Sequence, residues 1–378
     1  MKLSMRRGHL LYAGVFFWLL FSACDTEPAN SPVPSISESP SPTVSAAPAW
    51  PSAIILFIGD GMGPLQVRAG AYYLGHSLCF ESFPFSTSIT TYSADSQITD
   101  SAAAATAIAT GHKVNNGVIS VALPGDGSPL RTVLEKAATK GMLTGLVTTT
   151  YPCHATPAAF GAHQPSRTLY AEIGQDLLNL SRPNLLFGGG GNGLDQALVE
   201  SSGYLFIGDK AAFKFLTAGS ESRVAALFGS GFFPYAMDGA EAYAAYPNLA
   251  SMTECAIRLL DYPGRGFFLM VEGGLIDQAC HINDAARMVG EVGEFDAAVR
   301  SALAWSADRA DALILVTADH ETGGILSVTD SGPGAIPLVE WSTSGHSSTP
   351  VGLYATGCGA WRFSGVLDNT EIGARLLE

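Results

Sequence analysis

The sequence predicts an α/β fold: a three-layer sandwich with a mostly parallel central sheet and helices on both faces. Two observations carry this. Continuous apolar runs recur at 53–58, 144–149, 267–271 and 313–317, the pattern of strands buried on both faces. Helical patterns lie between them at 101–110, 130–140, 169–180, 249–261 and 284–307. Strands alternating with helices imply crossover connections and parallel neighbours. No internal repeat and no second folded domain is visible.

Composition agrees with one large buried core. The chain has 378 residues, of which 47% are hydrophobic and only 14% charged, so a disordered body is excluded. The formal net charge is −14. That excludes a nucleic-acid partner, because phosphate backbones are held by Lys and Arg. Any anionic ligand must be attracted locally, and bound divalent cations could do so.

The first residues read as an export signal of 1–24. Lys2, Arg6 and Arg7 precede an apolar stretch of 10–21, too short for a membrane span. Leu20-Phe21-Ser22-Ala23-Cys24 resembles a bacterial lipobox, so Cys24 is expected to carry lipid; the alternative is plain cleavage after Ala23. Residues 25–51, rich in Pro, Ser and Ala, read as an extended tether. The folded domain is expected over 52–378. Beyond Cys24, five cysteines remain, an odd number with no CxxC spacing, and no disulfide is expected.

Each buried strand ends in a polar cluster, where open α/β sheets bind their ligands. After the first run comes Gly59-Asp60-Gly61-Met62-Gly63. Thr99-Asp100-Ser101 precedes four alanines and places Ser101 at a helix N-terminus, where the dipole favours an alkoxide or a phosphate. Read locally, each is also an ordinary turn or N-cap. After 144–149 come His154 and Thr156, a hydroxyl for a hard cation, then Arg167. After 267–271, Glu272 suits a hard ion, while Asp277 and His281, four apart, share one helical face and suit zinc. Asp319-His320 follows the last run, and His346 lies in a later loop. Together Asp60, Glu272, Asp277, His281, Asp319, His320 and His346 supply N and O ligands mostly at one sheet edge.

Asp60-Gly61-Met62-Gly63, Thr99-Asp100-Ser101-Ala102-Ala103, Val271-Glu272-Gly273-Gly274 and Thr317-Ala318-Asp319-His320-Glu321-Thr322-Gly323-Gly324 resemble the signatures of the alkaline phosphatase family, in the family's order. The stretch Phe187-Gly188-Gly189-Gly190 also resembles a family feature. The resemblance runs from about residue 52 to the C-terminus. It implies hydrolysis of small phosphate monoesters through a phosphoserine on Ser101. It also implies two zinc ions and one magnesium ion. Asp277, His281 and His346 would hold one zinc; Asp60, Asp319 and His320 the other. Asp60, Thr156 and Glu272 would hold magnesium, with His154 nearby through water. Arg167 lies at the family's spacing for the phosphate-binding arginine.

Three departures carry expectations. Many bacterial members have Asp where this chain has His154, and Lys where it has Gln278, which faces the phosphate through water in that scheme. The neutral imidazole should weaken magnesium loading, and Gln278 should weaken phosphate retention. Only 21 residues separate Gly324 from His346, where many relatives carry a longer insertion; an open site and a monomer or weak dimer are expected. Two other readings are a phosphodiesterase or similar hydrolase of the superfamily, and a surface lipoprotein that binds without catalysing. Diesterase-like members usually present Thr in a different motif. Sulfatases need Pro and Arg shortly after the nucleophile, and Ser101 is followed by alanines.

Overall fold

The computed structural model describes residues 50–217, 223–366 and 368–378. The chain divides into units 1–46 and 47–378, and only the second is described. The expected leader, Cys24 and tether residues 25–49 lie outside the described residues. Trp50 and Pro51, assigned to the tether from sequence, already belong to the packed body: Pro51 is buried and Trp50 lies against the core.

Strands run β1 Ala53–Gly59, β2 Phe85–Ile89, β3 Leu143–Thr148, β4 Leu185–Gly189, β5 Tyr204–Ile207, β6 Arg223–Phe228, β7 Phe267–Gly273, β8 Ala312–Thr317, β9 Glu321–Thr322, β10 Ile325–Thr329, β11 Leu338–Trp341, β12 His346–Ser347 and β13 Val351–Gly357. Helices run α1 Pro64–Leu74, α2 Ser101–Thr110, α3 Val133–Thr139, α4 Ala155–Gly161, α5 Tyr170–Asp176, α6 Gln196–Ser201, α7 Lys210–Lys214, α8 Leu249–Leu260, α9 Leu275–His281, α10 Ala285–Ser306 and α11 Thr370–Leu377.

Nine strands form one sheet in the order β2-β13-β8-β1-β7-β3-β4-β6-β5. Seven neighbours from β8 to β5 are parallel, and β13 runs antiparallel to both β8 and β2. Every residue of β1, β3, β7 and β8 is buried, as covered parallel strands require. Helices α2, α3, α4 and α11 pack together on one face, and α1, α8 and α10 on the other, which is the predicted sandwich.

Register sets the site. Ile58 of β1 lies opposite both Glu272 of β7 and Thr317 of β8, and Thr148 of β3 opposite Glu272. Asp60, Glu272, Thr148 and Asp319 therefore meet at the carboxyl edge. Helix α2 is buried at all ten positions. Its alanines let it lie close to α4 and α11. Enlarging Ala105 there would cost about 1–3 kcal/mol through overpacking.

Candidate active site

Ser101 opens α2. Asp100 caps the helix through Ala103 N at 3.0 Å, so the hydroxyl sits where the dipole is positive. Its Oγ lies 3.2 Å from His320 Nε2.

Three imidazoles present the same nitrogen inward. His281 Nδ1 donates to Ser344 O at 2.6 Å, and His346 Nδ1 to Thr99 O at 2.8 Å. His320 Nδ1 donates to Thr322 Oγ1 at 3.2 Å, while Thr322 donates to Asp277 Oδ1 at 2.5 Å. Each ring then carries a proton on Nδ1 and turns Nε2 to the site, where it can give a lone pair to a cation or, in His281 without one, hold a second proton against Asp277 Oδ2 at 3.2 Å. The Nε2 atoms of His281 and His346 stand only 3.3 Å apart. Two lone pairs at that distance need a positive charge between them.

The carboxylates tell the same story. Asp60, Asp319 and Glu272 are fully buried, yet both oxygens of Asp60, Asp319 Oδ2 and Glu272 Oε1 have no hydrogen-bond donor, nor does Thr156 Oγ1 make a bond. Buried acceptors without donors are costly. The described residues group as Asp277/His281/His346, Asp60/Asp319/His320 and Asp60/His154/Glu272, with candidate ligand atoms within 4.8 Å of one another in each. This is a cation-binding set of ligands, and at Asp60, Asp319 Oδ2 and Glu272 Oε1 no protein donor replaces the cation.

Titration behaviour follows. Burial, then the neighbouring Asp319, raises Asp60 well above the carboxylate range. Burial and Asp277 raise Asp319 to about 8, and burial raises Glu272 to about 7 against its bonds from Thr148 and Thr150. Burial opposes the Asp277 charge, but the hydrogen bond from His281 and the other two imidazoles hold it below the usual range. The same bond raises His281 to about 9.

Arg167 is gripped from two sides. Its Nη1 donates to Asp100 Oδ2 at 3.0 Å and its Nη2 to His154 Nε2 at 3.3 Å. Burial and that guanidinium lower His154 to about 3, so it is neutral. With Nε2 accepting from Arg167, the proton sits on His154 Nδ1, which meets no partner. A protonated Nδ1 offers a donor, not a ligand lone pair. Tyr151 and Phe232, stacked with centroids 5.4 Å apart, wall this imidazole. Gln278 Nε2 donates to Asp277 Oδ2 at 3.0 Å.

All site residues expected in the body converge; Cys24 alone lies outside the described residues. Sequence reasoning missed the roles of five supporting residues. Thr322 ties Asp277 to His320, and Asp100 pins Arg167 as well as capping α2. Thr148 and Thr150 hold Glu272. Gly61 has φ +73°, and a Cβ there would stand 2.8 Å from Asp277 Cα. Only glycine brings Asp60 so near.

Fold and site define an α/β protein that gathers divalent cations around a serine at a helix N-terminus. The chain belongs to the alkaline phosphatase family: the family model matches residues 52–192 and 187–340. Alkaline phosphatase 3 of Bacillus subtilis is 36% identical over 291 residues, 72% of this chain. The match spans 61% of that protein's length, and equally of alkaline phosphatase 4 of the same organism. Streptomycin-6-phosphate phosphatase of Streptomyces griseus is 31% identical, with 87% of this chain and 90% of that protein covered. The alkaline phosphatase of the Antarctic bacterium TAB5 superposes with a TM-score of 0.77 at 30% identity, over 87% of this chain and 97% of that one. A histidine-to-aspartate variant of it has Mg bound in its M3 site; its TM-score is 0.76 at 30% identity, with the same coverage.

Proposed function

We propose that the chain is a metal-dependent phosphomonoesterase that converts phosphate monoesters to alcohol and inorganic phosphate through a phosphoserine on Ser101. One observation carries this: Ser101 Oγ stands at the head of α2 within 3.2 Å of His320 Nε2, among buried oxygens that lack donors. A serine that only capped a helix would not need that surrounding.

Asp277, His281 and His346 would hold one zinc, and Asp60, Asp319 and His320 a second. Asp60, Thr156 and Glu272 would hold magnesium, with His154 donating from Nδ1 to a water between. Bound cations would supply Lewis acidity that lowers the pKa of the serine hydroxyl and of a water, and would neutralise the leaving oxygen. The chain's own residues do the rest. Ser101 Oγ attacks phosphorus in line, the ester P–O bond breaks, and the alcohol departs. Water then attacks the phosphoserine, releases phosphate and restores Ser101. The α2 dipole favours the phosphoryl oxygens. Asp100 and His154 fix the Arg167 plane so that its other N–H groups can grip phosphate as a fork. Gln278, neutral and bonded to Asp277, would hold product phosphate weakly.

The leader supports export to the periplasm or cell surface of a bacterium, with lipid on Cys24 and residues 25–49 as tether to one catalytic domain. Among the described residues no helix is long and apolar enough to cross a membrane. Between Gly324 and His346 the chain forms the small β10–β11 pair, which supports an open site and a monomer or weak dimer.

The test is p-nitrophenyl phosphate hydrolysis at alkaline pH by the wild type and Ser101→Ala, with zinc and magnesium and then with chelator. Activity should need both the serine and the metals. A metal-loaded wild type that cleaves a phosphodiester faster than the monoester would move the assignment to the diesterases.

A further inference from the structure

The amino edge of the sheet, opposite the site, has another kind of surface. Segments entering the parallel strands gather there. Lys140 lies just before β3, Lys214 ends α7 on the way to β6, and Arg258 sits in the last turn of α8 before β7. All three are exposed, and none takes part in an ion pair among the described residues. Arg309 and Arg362 on the same edge are already matched by Asp261 and Asp311, and by Glu378.

Large aromatic side chains stand among these cations. Phe215 is 81% exposed, Trp361 65% and Tyr262 45%. Contacts join them into a belt. Lys140 Nζ lies 5.2 Å from the Trp50 ring, and the Arg362 guanidinium 5.1 Å from Trp50 and 6.0 Å from Trp361. The Arg265 side chain donates to Gly141 O at 3.1 Å and its backbone N–H to Tyr262 O at 3.1 Å. Arg258 donates to Leu216 O, beside Phe215, at 3.2 Å.

A single exposed aromatic needs no explanation. Three of them interleaved with cations that have no ion-pair partner among the described residues, in a chain of net charge −14, do. Trp and Tyr favour the level of lipid headgroups, and Lys and Arg are drawn to anionic ones. The site lies at the opposite, carboxyl edge of the sheet, so a lipid contact at the amino edge leaves the site facing solvent. Trp50 lies within the belt, so the described body begins at this edge.

We propose that the amino edge rests on an anionic lipid bilayer and turns the site away from it. This surface is independent of the chemistry at Ser101, so it stands or falls separately from the phosphatase assignment.

The test uses the full chain on vesicles of phosphatidylglycerol and phosphatidylethanolamine with brominated acyl chains, which quench nearby tryptophan. The Trp361 signal is the difference between wild type and Trp361→Phe. It should be quenched in the bound protein, and at least about tenfold less so in the triple variant K140E/K214E/R258E, since each basic residue near the surface is worth about a factor of five. Phosphomonoester hydrolysis should be unchanged in both variants, which shows that they fold. The proposal is overturned if Trp361 is unquenched, if charge reversal leaves quenching intact, or if phosphatidylcholine vesicles quench equally. Shielding of Trp361 from aqueous iodide without any lipid would assign the edge to a second copy or another protein, and would also overturn it.

Discussion

Asp60 and Glu321 are acidic residues buried at the same edge of the sheet, with opposite surroundings. Glu321 accepts from Gln66 Nε2 at 2.9 Å, Ile325 N at 3.1 Å, Gly324 N at 3.2 Å and Ser347 Oγ. No donor reaches either oxygen of Asp60. Four donors make Glu321 a clamp that holds the turn after β9 in place. Two bare oxygens make Asp60 a ligand whose partner is an ion. Depth of burial does not separate a structural carboxylate from a functional one; the accounting of donors does.

Exchanging each acid for its amide tests the distinction. Asp60→Asn should lower phosphomonoester turnover by about 10³-fold while leaving metal-free stability equal or higher, because the amide is neutral without having to take up a proton. Glu321→Gln should do the reverse. Its new amide hydrogens would face Gly324 N and Ser347, costing about 1–3 kcal/mol in denaturant unfolding, with turnover within about tenfold. Equal losses of activity and stability in both variants would erase the contrast.

Metal removal sharpens it through pH. Asp60, Asp319 at about 8 and Glu272 at about 7 are raised in the folded, metal-free protein, so the fold holds protons there that the unfolded chain has released. Metal-free stability should therefore be greatest below about pH 4 as regards these groups and fall as pH rises towards 8. His281, raised to about 9, adds a fall between about 6.5 and 9. Cations compete with those protons, so the rise in melting temperature on adding zinc and magnesium should grow from pH 5 to pH 8. A pH-independent gain would contradict cation binding by these groups.

Smaller effects test the two polar neighbours. His154→Asp places a charge beside Glu272 and Asp60 and should tighten magnesium by about tenfold in titrations of activity; because the new carboxylate also draws on Arg167, KM should rise. Gln278→Lys adds a partly exposed cation worth about 1 kcal/mol or less, and inorganic phosphate should inhibit up to about fivefold more strongly. Unchanged phosphate inhibition would remove position 278 from the phosphate's surroundings.

Much of this was legible in the sequence, for a physical reason. A strand covered on both faces is one apolar run, so β1, β3, β7 and β8 stand out, and the polar residue that ends each run must lie at the carboxyl edge. The alanines of α2 mark a helix and hence the position of Ser101. The antiparallel β13 was hidden, because its alternate residues are only partly buried and a seven-residue alternation without flanking helices is weak. Thr322, Asp100 and Phe232 were hidden too. They act across the sheet through hydrogen bonds and ring contacts, and spacing along the chain carries no trace of a partner 45 residues away, as Asp277 is from Thr322.

The central claim, that buried oxygens without donors at this edge are cation ligands, is tested most directly by elemental analysis of the metal content per chain in wild type and Asp60→Asn. Asp60 belongs to two of the three ligand groups. The account predicts three ions in the wild type and loss of two in Asp60→Asn, with the ion at Asp277, His281 and His346 retained. A variant that keeps all its metal, or a wild type that binds none after loading with zinc and magnesium, would contradict it.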